Sequence, residues 1–313
     1  MSIQRASKNR KKILIPGGTG FIGYHLSLFL SKKGWIVHSL SKSKPKNSRR
    51  VYNVKYIYCD IRNKNNLKKK LDNYYDYIVN LSGYVDHSKN SSIIKTHFNG
   101  CKNLVNNFRN KKLKKFIQIG SSIEYGKQKS PQNEKSLKKK DTNSVYGNAK
   151  LSSTLFLLKQ YKIKHFPATI LRLYLVYGPK QDENRIIPFV IKQSLKGNKF
   201  NCSPGNQLRD FTYIDDVILA IYKSLLSKES NGELINIGTG KPIKIKRLIK
   251  MINKNIGTGL PIFSKLNFRQ DEMLKLYPNI TKAKKVLNWT PKINLKDGLS
   301  KTIKYYKKNE KII

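Results

Sequence analysis

Tyr146 and Lys150 stand one helical turn apart in a chain of 313 residues, and in a helix that spacing puts both side chains on one face. A phenol near pKa 10 is a poor acid–base group at neutral pH. An ammonium about 4 Å away, at an effective dielectric of about 20, contributes roughly 4 kcal/mol. That is on the order of three pKa units and brings the phenol near working pH. Such a tyrosine can exchange a proton with a hydroxyl while a nicotinamide takes or gives a hydride. Tyr125 and Lys129 repeat the spacing, so position has to decide. Tyr125 falls in the loop after a strand end, whereas Tyr146 sits early in a predicted helix. Ser121 and Ser122 close the set: a hydroxyl at the C-terminal end of a parallel strand points into the ligand crevice.

A second constellation lies near the start of the chain. Gly17, Gly20 and Gly23 follow the apolar run Ile13-Leu14-Ile15 and open a helix that begins at Phe21. Gly17 turns sharply, Gly20 lets backbone approach a pyrophosphate, and Gly23 allows close helix–strand packing. The free N–H groups of the helix N-terminus then receive phosphate charge. At the end of the second strand, an acid binds the ribose of NAD, whereas its absence beside a cation favours the phosphate of NADP. Ser41-Lys42-Ser43 stands there, so NADP is expected, with NAD as the alternative.

These residues need a scaffold. Strands are predicted over Ile13–Ile15, Trp35–Leu40, Lys55–Cys59, Tyr77–Leu81, Phe116–Ile119 and Ala168–Leu173, with helices over Phe21–Lys32, Ile93–Arg109 and Ser144–Tyr161 between them. That alternation predicts an α/β fold with a doubly wound parallel sheet. Beyond Tyr177-Gly178-Pro179 the rhythm weakens, and returns as a helix over Phe211–Leu226 and a strand over Leu234–Ile237. The expected division is a dinucleotide-binding domain of 11–180 plus 207–239 and a smaller substrate lobe of 181–206 plus 240–306. The basic ends, 1–10 and 307–313, are expected to be mobile.

Composition narrows the class. Hydrophobic residues make up 38% of the chain, enough for a sizeable core. No apolar run approaches about 18 residues, which excludes a membrane-spanning helix. Cys59, Cys101 and Cys202 are scattered, have no metal-ligand spacing and suggest a reducing, cytoplasmic setting. The net charge of +46 raises nucleic acid as a partner. However, the densest basic runs (Arg10–Lys12, Lys68–Lys70, Lys111–Lys115, Lys138–Lys140) fall in different predicted elements, so the charge reads as compositional. It also attracts anionic ligands.

Gly18-Thr19-Gly20-Phe21-Ile22-Gly23, Ser121 with Tyr146-x-x-x-Lys150, Val176-Tyr177-Gly178-Pro179 and Arg209-Asp210-Phe211 together resemble the extended short-chain dehydrogenase/reductase family. The likeness is to its nucleotide-sugar epimerases, dehydratases and reductases and extends almost to the C-terminus. It implies a Rossmann-type sheet with a C-terminal substrate-binding lobe, a nucleoside-diphosphate sugar as substrate and a homodimer through helices flanking the sheet. It assigns catalysis to Ser121, Tyr146 and Lys150. Cofactor contacts would come from Gly17, Gly20, Phe21, Ile22, Gly23, Ser41, Lys42, Asp60, Ile61, Leu81, Tyr146 and Lys150, and substrate contacts from Ser122, Arg209 and Arg269. Ser122 and Ile123 stand where the 4,6-dehydratases carry an Asp-Glu pair, which argues against elimination of water. Leu175 and His97 replace residues that are usually polar or Asn. Gly120–Gly126 is similar to 4-keto-6-deoxysugar reductases. The leading expectation is therefore an NADPH-dependent 4-ketoreductase for a surface polysaccharide sugar. An NAD-dependent C4 epimerase is the alternative, and a non-catalytic dinucleotide-sensing or RNA-binding protein the third.

Overall fold

The computed structural model describes residues 10–83, 90–109, 111–136, 142, 144–268 and 272–310. Its centre is a seven-stranded sheet of β1 (Lys12–Pro16), β2 (Ile36–Ser41), β3 (Val54–Tyr58), β4 (Tyr77–Asn80), β5 (Lys115–Ser121), β6 (Ala168–Leu173) and a last strand, Leu234–Ile237. Every pairing is parallel. The order is Leu234–Ile237, β6, β5, β4, β1, β2, β3. Chain direction across the sheet therefore reverses between β1 and β4, and a crevice opens there, at the C-terminal strand ends.

The strands read as near-continuous apolar runs because both faces are covered. Ile13 and Ile15 of β1 join one buried cluster, with Ile117, Ile119, Leu171 and Ile235. Leu14, between them, joins the other, with Leu40, Ile78, Phe116 and Ile170. Helix α1 (Phe21–Lys32) buries Gly23, Tyr24, Leu26, Ser27 and Leu30. Among the described residues, no helix is long and apolar enough to cross a membrane.

Three elements differ from expectation. The segment expected as one helix over 93–109 is an α-helix (Asn90–Ile94), a π-helical turn (Lys95–Asn99) and a second α-helix (Gly100–Phe108). The wider turn coincides with a tertiary bond in which Ser153 Oγ donates to the His97 carbonyl at 2.9 Å. The predicted helix over 211–226 begins at Ile214, because Phe211–Tyr213 pairs in parallel with Leu175–Tyr177 instead. The final helix, Leu295–Glu310, runs past the expected boundary after Tyr306.

His38 is the buried titratable group of β2, 5% exposed, with Nδ1 2.8 Å from the Tyr75 phenol oxygen. Burial pushes its pKa down to about 4 despite the nearby Asp72 carboxylate. The unfolded imidazole titrates near 6.5, so below that pH the unfolded state binds the extra proton and the folded state does not. The neutral imidazole thus contributes fully above pH 6.5, and its contribution is lost as pH falls from 6.5 towards 4, by about 3 kcal/mol at most. Denaturant unfolding followed across this window should show a steeper stability loss in the wild type than in His38→Gln. Equal slopes would assign the acid sensitivity elsewhere.

Candidate active site

The glycine turn occupies the head of the crevice. Gly17 has φ +82°, and a Cβ there would lie 2.6 Å from the Leu81 carbonyl carbon. This is a left-handed position with no room for a side chain. At Gly23 a Cβ would stand 2.4 Å from the Gly17 carbonyl oxygen, so α1 packs directly on the turn. Gly20 is different: a Cβ there meets only the Gly17 oxygen, at 3.3 Å, and would otherwise stand in the cleft. Gly20 is also the N-cap of α1, which has no side-chain cap and no acid in its first turn. An uncapped helix N-terminus with a bare approach suits a phosphate. The turn fits a dinucleotide.

Ser121 ends β5 in register with Leu173 and caps a short 3-10 helix, Ser122–Tyr125. Its Oγ accepts from the Ile123 amide at 3.4 Å, while its own N–H donates to Glu124 Oε1 at 2.6 Å. This capping box uses the serine oxygen as acceptor and leaves the hydroxyl proton to be donated. Glu124 is itself fully buried. It accepts from Thr154 Oγ1 at 2.7 Å and Arg172 Nε at 3.0 Å. The Ser-x-x-Glu spacing is a capping signature that sequence reasoning could have used, yet Glu124 entered only as part of a motif.

Ser144 caps the long helix Val145–Lys164 by accepting from the Gly147 amide. This helix carries Tyr146 and Lys150. The Lys150 ammonium is buried and donates to the Ile119 carbonyl of β5 at 2.8 Å. It lies 6.0 Å from the centre of the Tyr146 ring. That ring also meets the His97 imidazole edge-on at 5.0 Å between centroids. His97, given no role from sequence, is thus a direct neighbour of the phenol.

At the β2 end, the Ser41 hydroxyl is occupied within the protein. It accepts from Thr19 Oγ1 at 3.0 Å and the Ser43 amide at 3.1 Å, and donates to the Ser43 carbonyl at 2.6 Å. The Lys42 ammonium lies 3.7 Å from Asp60. Asp60 also holds the Arg62 guanidinium through both oxygens, at 2.7–3.0 Å. Burial pushes the Asp60 carboxyl up, but the Arg62 hydrogen bonds outweigh it and the group stays below the usual carboxylate range. The Ser41 hydroxyl is thus engaged within the protein, whereas the Lys42 side chain is 61% exposed.

One cleft of about 1540 Å³ gathers these groups. It is lined by the glycine turn with Phe21 and Ile22, by Ser41, Lys42, Asp60, Ile61 and Leu81, by Ser121, Ser122, Tyr146 and Lys150, and by Arg209. Arg269 lies outside the described residues. Arg209 is buried and paired with Glu272, which lines the same cleft; burial pulls its pKa down against that carboxylate. Leu175, which by resemblance replaces a residue that is usually polar, is 38% exposed and lines the cleft.

The model of the NAD dependent epimerase/dehydratase family matches residues 13–238. The chain belongs to this family. It is 28% identical to a UDP-glucuronate 4-epimerase of Thermodesulfobacterium geofontis, over 96% of this chain and 97% of that one. It is equally 28% identical to the human dTDP-D-glucose 4,6-dehydratase, over 96% and 91%. Among solved structures, the UDP-glucose 4-epimerase of Thermotoga maritima with UDP-glucose superposes with a TM-score of 0.88 at 26% identity, over 95% and 99%. The UDP-glucuronic acid 4-epimerase of Bacillus cereus, in complex with UDP-glucuronic acid and NAD, gives 0.84 at 28%, over 95% and 99%.

The two glycines should fail differently. Gly17→Ala forces a side chain into left-handed backbone against Leu81 and should lower the melting temperature by about 3 °C or more. Gly20→Val should melt near the wild type yet lose measurable NADH binding by fluorescence titration. Wild-type NADH affinity in Gly20→Val would remove the turn from the cofactor site.

Proposed function

We propose that this family member is an NAD-dependent epimerase that inverts C4 of a nucleoside-diphosphate sugar. The observation that carries the reading is the meeting of Ser121, Tyr146 and Lys150 with the glycine turn in one cleft that also holds Arg209. Held at the glycine turn with Asp60, Ile61 and Leu81 beside it, NAD would supply reversible hydride transfer at the sugar carbon. Tyr146 removes the hydroxyl proton as the carbon is oxidised and gives it back on return. Ser121 donates to the same oxygen with the proton that its capping role leaves available. Lys150, moored to Ile119, keeps positive charge beside the phenol while it is deprotonated. Arg209, with Nη1 bonded to the Leu208 carbonyl and Nη2 to Glu272, brings its charge to the cleft wall and would meet the diphosphate only by exchanging that carboxylate for it.

Three observations favour epimerisation over the expected ketoreduction and over dehydration. Against ketoreduction, the relatives and neighbours described above are 4-epimerases and a 4,6-dehydratase, and one epimerase neighbour is a complex with NAD. Of Ser41 and Lys42, which prompted the expectation of NADP, Ser41 is engaged within the protein. Beside Ser121, Ser122 is buried, Ile123 is apolar and Glu124 is committed to Arg172, so that segment offers no free carboxyl pair for removing water. The expected homodimer belongs to the same reading. Ile94 and Ile163 are 46% and 58% exposed on helices that pack together and would supply apolar surface for it.

The test is a panel of UDP- and dTDP-linked sugars incubated with protein and NAD, with products resolved by chromatography. C4 epimers should form with no net NADH, Tyr146→Phe should slow turnover by about 100-fold or more, and Ser121→Ala by about 100-fold. Stoichiometric consumption of NADPH against a 4-keto sugar would replace this reading with the reductase.

A further inference from the structure

The helix Val145–Lys164 places Tyr146 only as far as Cβ. The phenol oxygen stands at the far end of the ring, so a small rotation about χ1 or χ2 sweeps it away from the oxygen it shares with Ser121. A displacement of about 1 Å at a reacting group can cost on the order of 100-fold in rate. Tyr146 is half-buried and lines the cleft, so packing has to aim it. Its ring meets the His97 imidazole at 88°, with centroids 5.0 Å apart. This is the edge-to-face geometry that aromatic rings favour.

Three features fix the imidazole. His97 lies in the π-helical turn Lys95–Asn99, which packs against the Tyr146 helix. Its carbonyl accepts from Ser153 Oγ at 2.9 Å, and Ser153 sits two turns beyond Tyr146 on that helix. Past the end of β4, a Cβ on Gly83 would lie 2.6 Å from His97 Cε1, so a side chain at 83 would displace the ring. His97 is 3% exposed yet lines the same cleft as Ser121 and Tyr146. Lys150, bonded to β5, lies 6.0 Å from the centre of the same phenol ring. By resemblance position 97 usually holds Asn, which has no ring to present.

We propose that His97 is a positioning residue for the proton transfer: its imidazole sets the direction of the Tyr146 ring and so holds the phenol oxygen beside the Ser121 hydroxyl. The inference rests on the reading that Tyr146 exchanges the proton of the sugar hydroxyl, and it deepens that reading by naming what aims the phenol. A group that acts only on the aim of Tyr146 serves the transition state and leaves ground-state binding of cofactor and sugar alone.

The experiment compares the wild type with His97→Leu, which removes the ring, and His97→Phe, which keeps an edge to present, on the sugar nucleotide that the wild type epimerises. Turnover is expressed per NADH-binding site titrated by fluorescence, so a misfolded fraction does not count. His97→Leu should lower kcat by about tenfold or more, with KM and NADH affinity within about twofold of the wild type. His97→Phe should recover most of the loss; should it fail to fold beside Gly83, the split between kcat and KM in His97→Leu decides alone. An unchanged kcat in His97→Leu, or a loss that falls on KM or on NADH affinity, would overturn the proposal. A lower melting temperature with full turnover per site would make His97 a packing residue only and leave the epimerase reading standing. If the wild type instead reduces a 4-keto sugar with NADPH, the epimerase reading falls, and the same variants run on that reduction still decide the role of His97, because Tyr146 would give its proton to the same oxygen. Turnover of neither kind would overturn both.

Discussion

Arg172 and Glu124 are wholly buried, and their side chains meet with Nη2 2.9 Å from Oε2. Two charges taken out of water cost several kcal/mol each unless geometry and added hydrogen bonds offset the loss. Here the bonds that hold Glu124 come from the elements that make the site, while Arg172 relies on this pair and on a stacked ring. Glu124 Oε1 accepts from the Ser121 amide, and Oε2 accepts from Thr154 on the helix that bears Tyr146. The guanidinium carbon lies 4.2 Å from the Tyr125 ring centre, and the Tyr125 hydroxyl donates to Asn236 of the last strand at 2.8 Å. One ion pair thus joins β5, β6, the edge strand and the long helix behind Ser121. Shifting any of them exposes a lone charge to an apolar interior, which is why the serine and tyrosine can be held in fixed relation from separate parts of the chain.

What the sequence made legible was set by local spacing. Glycines at 17, 20 and 23 after an apolar strand specify a turn whose requirements are all within a few residues. The alternation of strands and helices up to Leu173 follows from buried runs and periodicity. What stayed hidden depended on partners far along the chain. The π-helical turn around His97 coincides with a bond from Ser153. The apolar residues of Phe211–Tyr213 fit the start of a helix as well as a strand; pairing with Leu175–Tyr177 decides it. The expectation of NADP rested on the residue types of Ser41-Lys42-Ser43, and the bond from Thr19 to the Ser41 hydroxyl lay beyond any local rule. Glu124 is the exception, since its capping spacing was visible all along.

The charge imbalance acquires meaning at the cleft. With 64 basic residues against 18 acidic ones, an acid is scarce, yet four of them hold guanidinium groups in or beside this site. Asp60 grips Arg62, Asp182 grips Arg49, Glu124 grips Arg172 and Glu272 grips Arg209. A forked cation needs a planar acceptor to fix its orientation, so scarce carboxylates serve as orienting groups. The lysines at the mouth, Lys127, Lys129 and Lys275, add a diffuse positive field that favours a doubly charged ligand.

The Lys150 ammonium is tethered to the Ile119 carbonyl, and Ile119 stands two residues before Ser121 on the same strand. The cation therefore takes its coordinates from β5 and not from the loop that delivers its helix. Substitutions at Lys127 and Lys129, exposed residues that line the cleft, would redraw its rim while leaving charge and serine in constant relation. In the proposed epimerase, such an arrangement would separate the part of the molecule that meets the sugar from the part that moves the proton, and let the first diverge without disturbing the second.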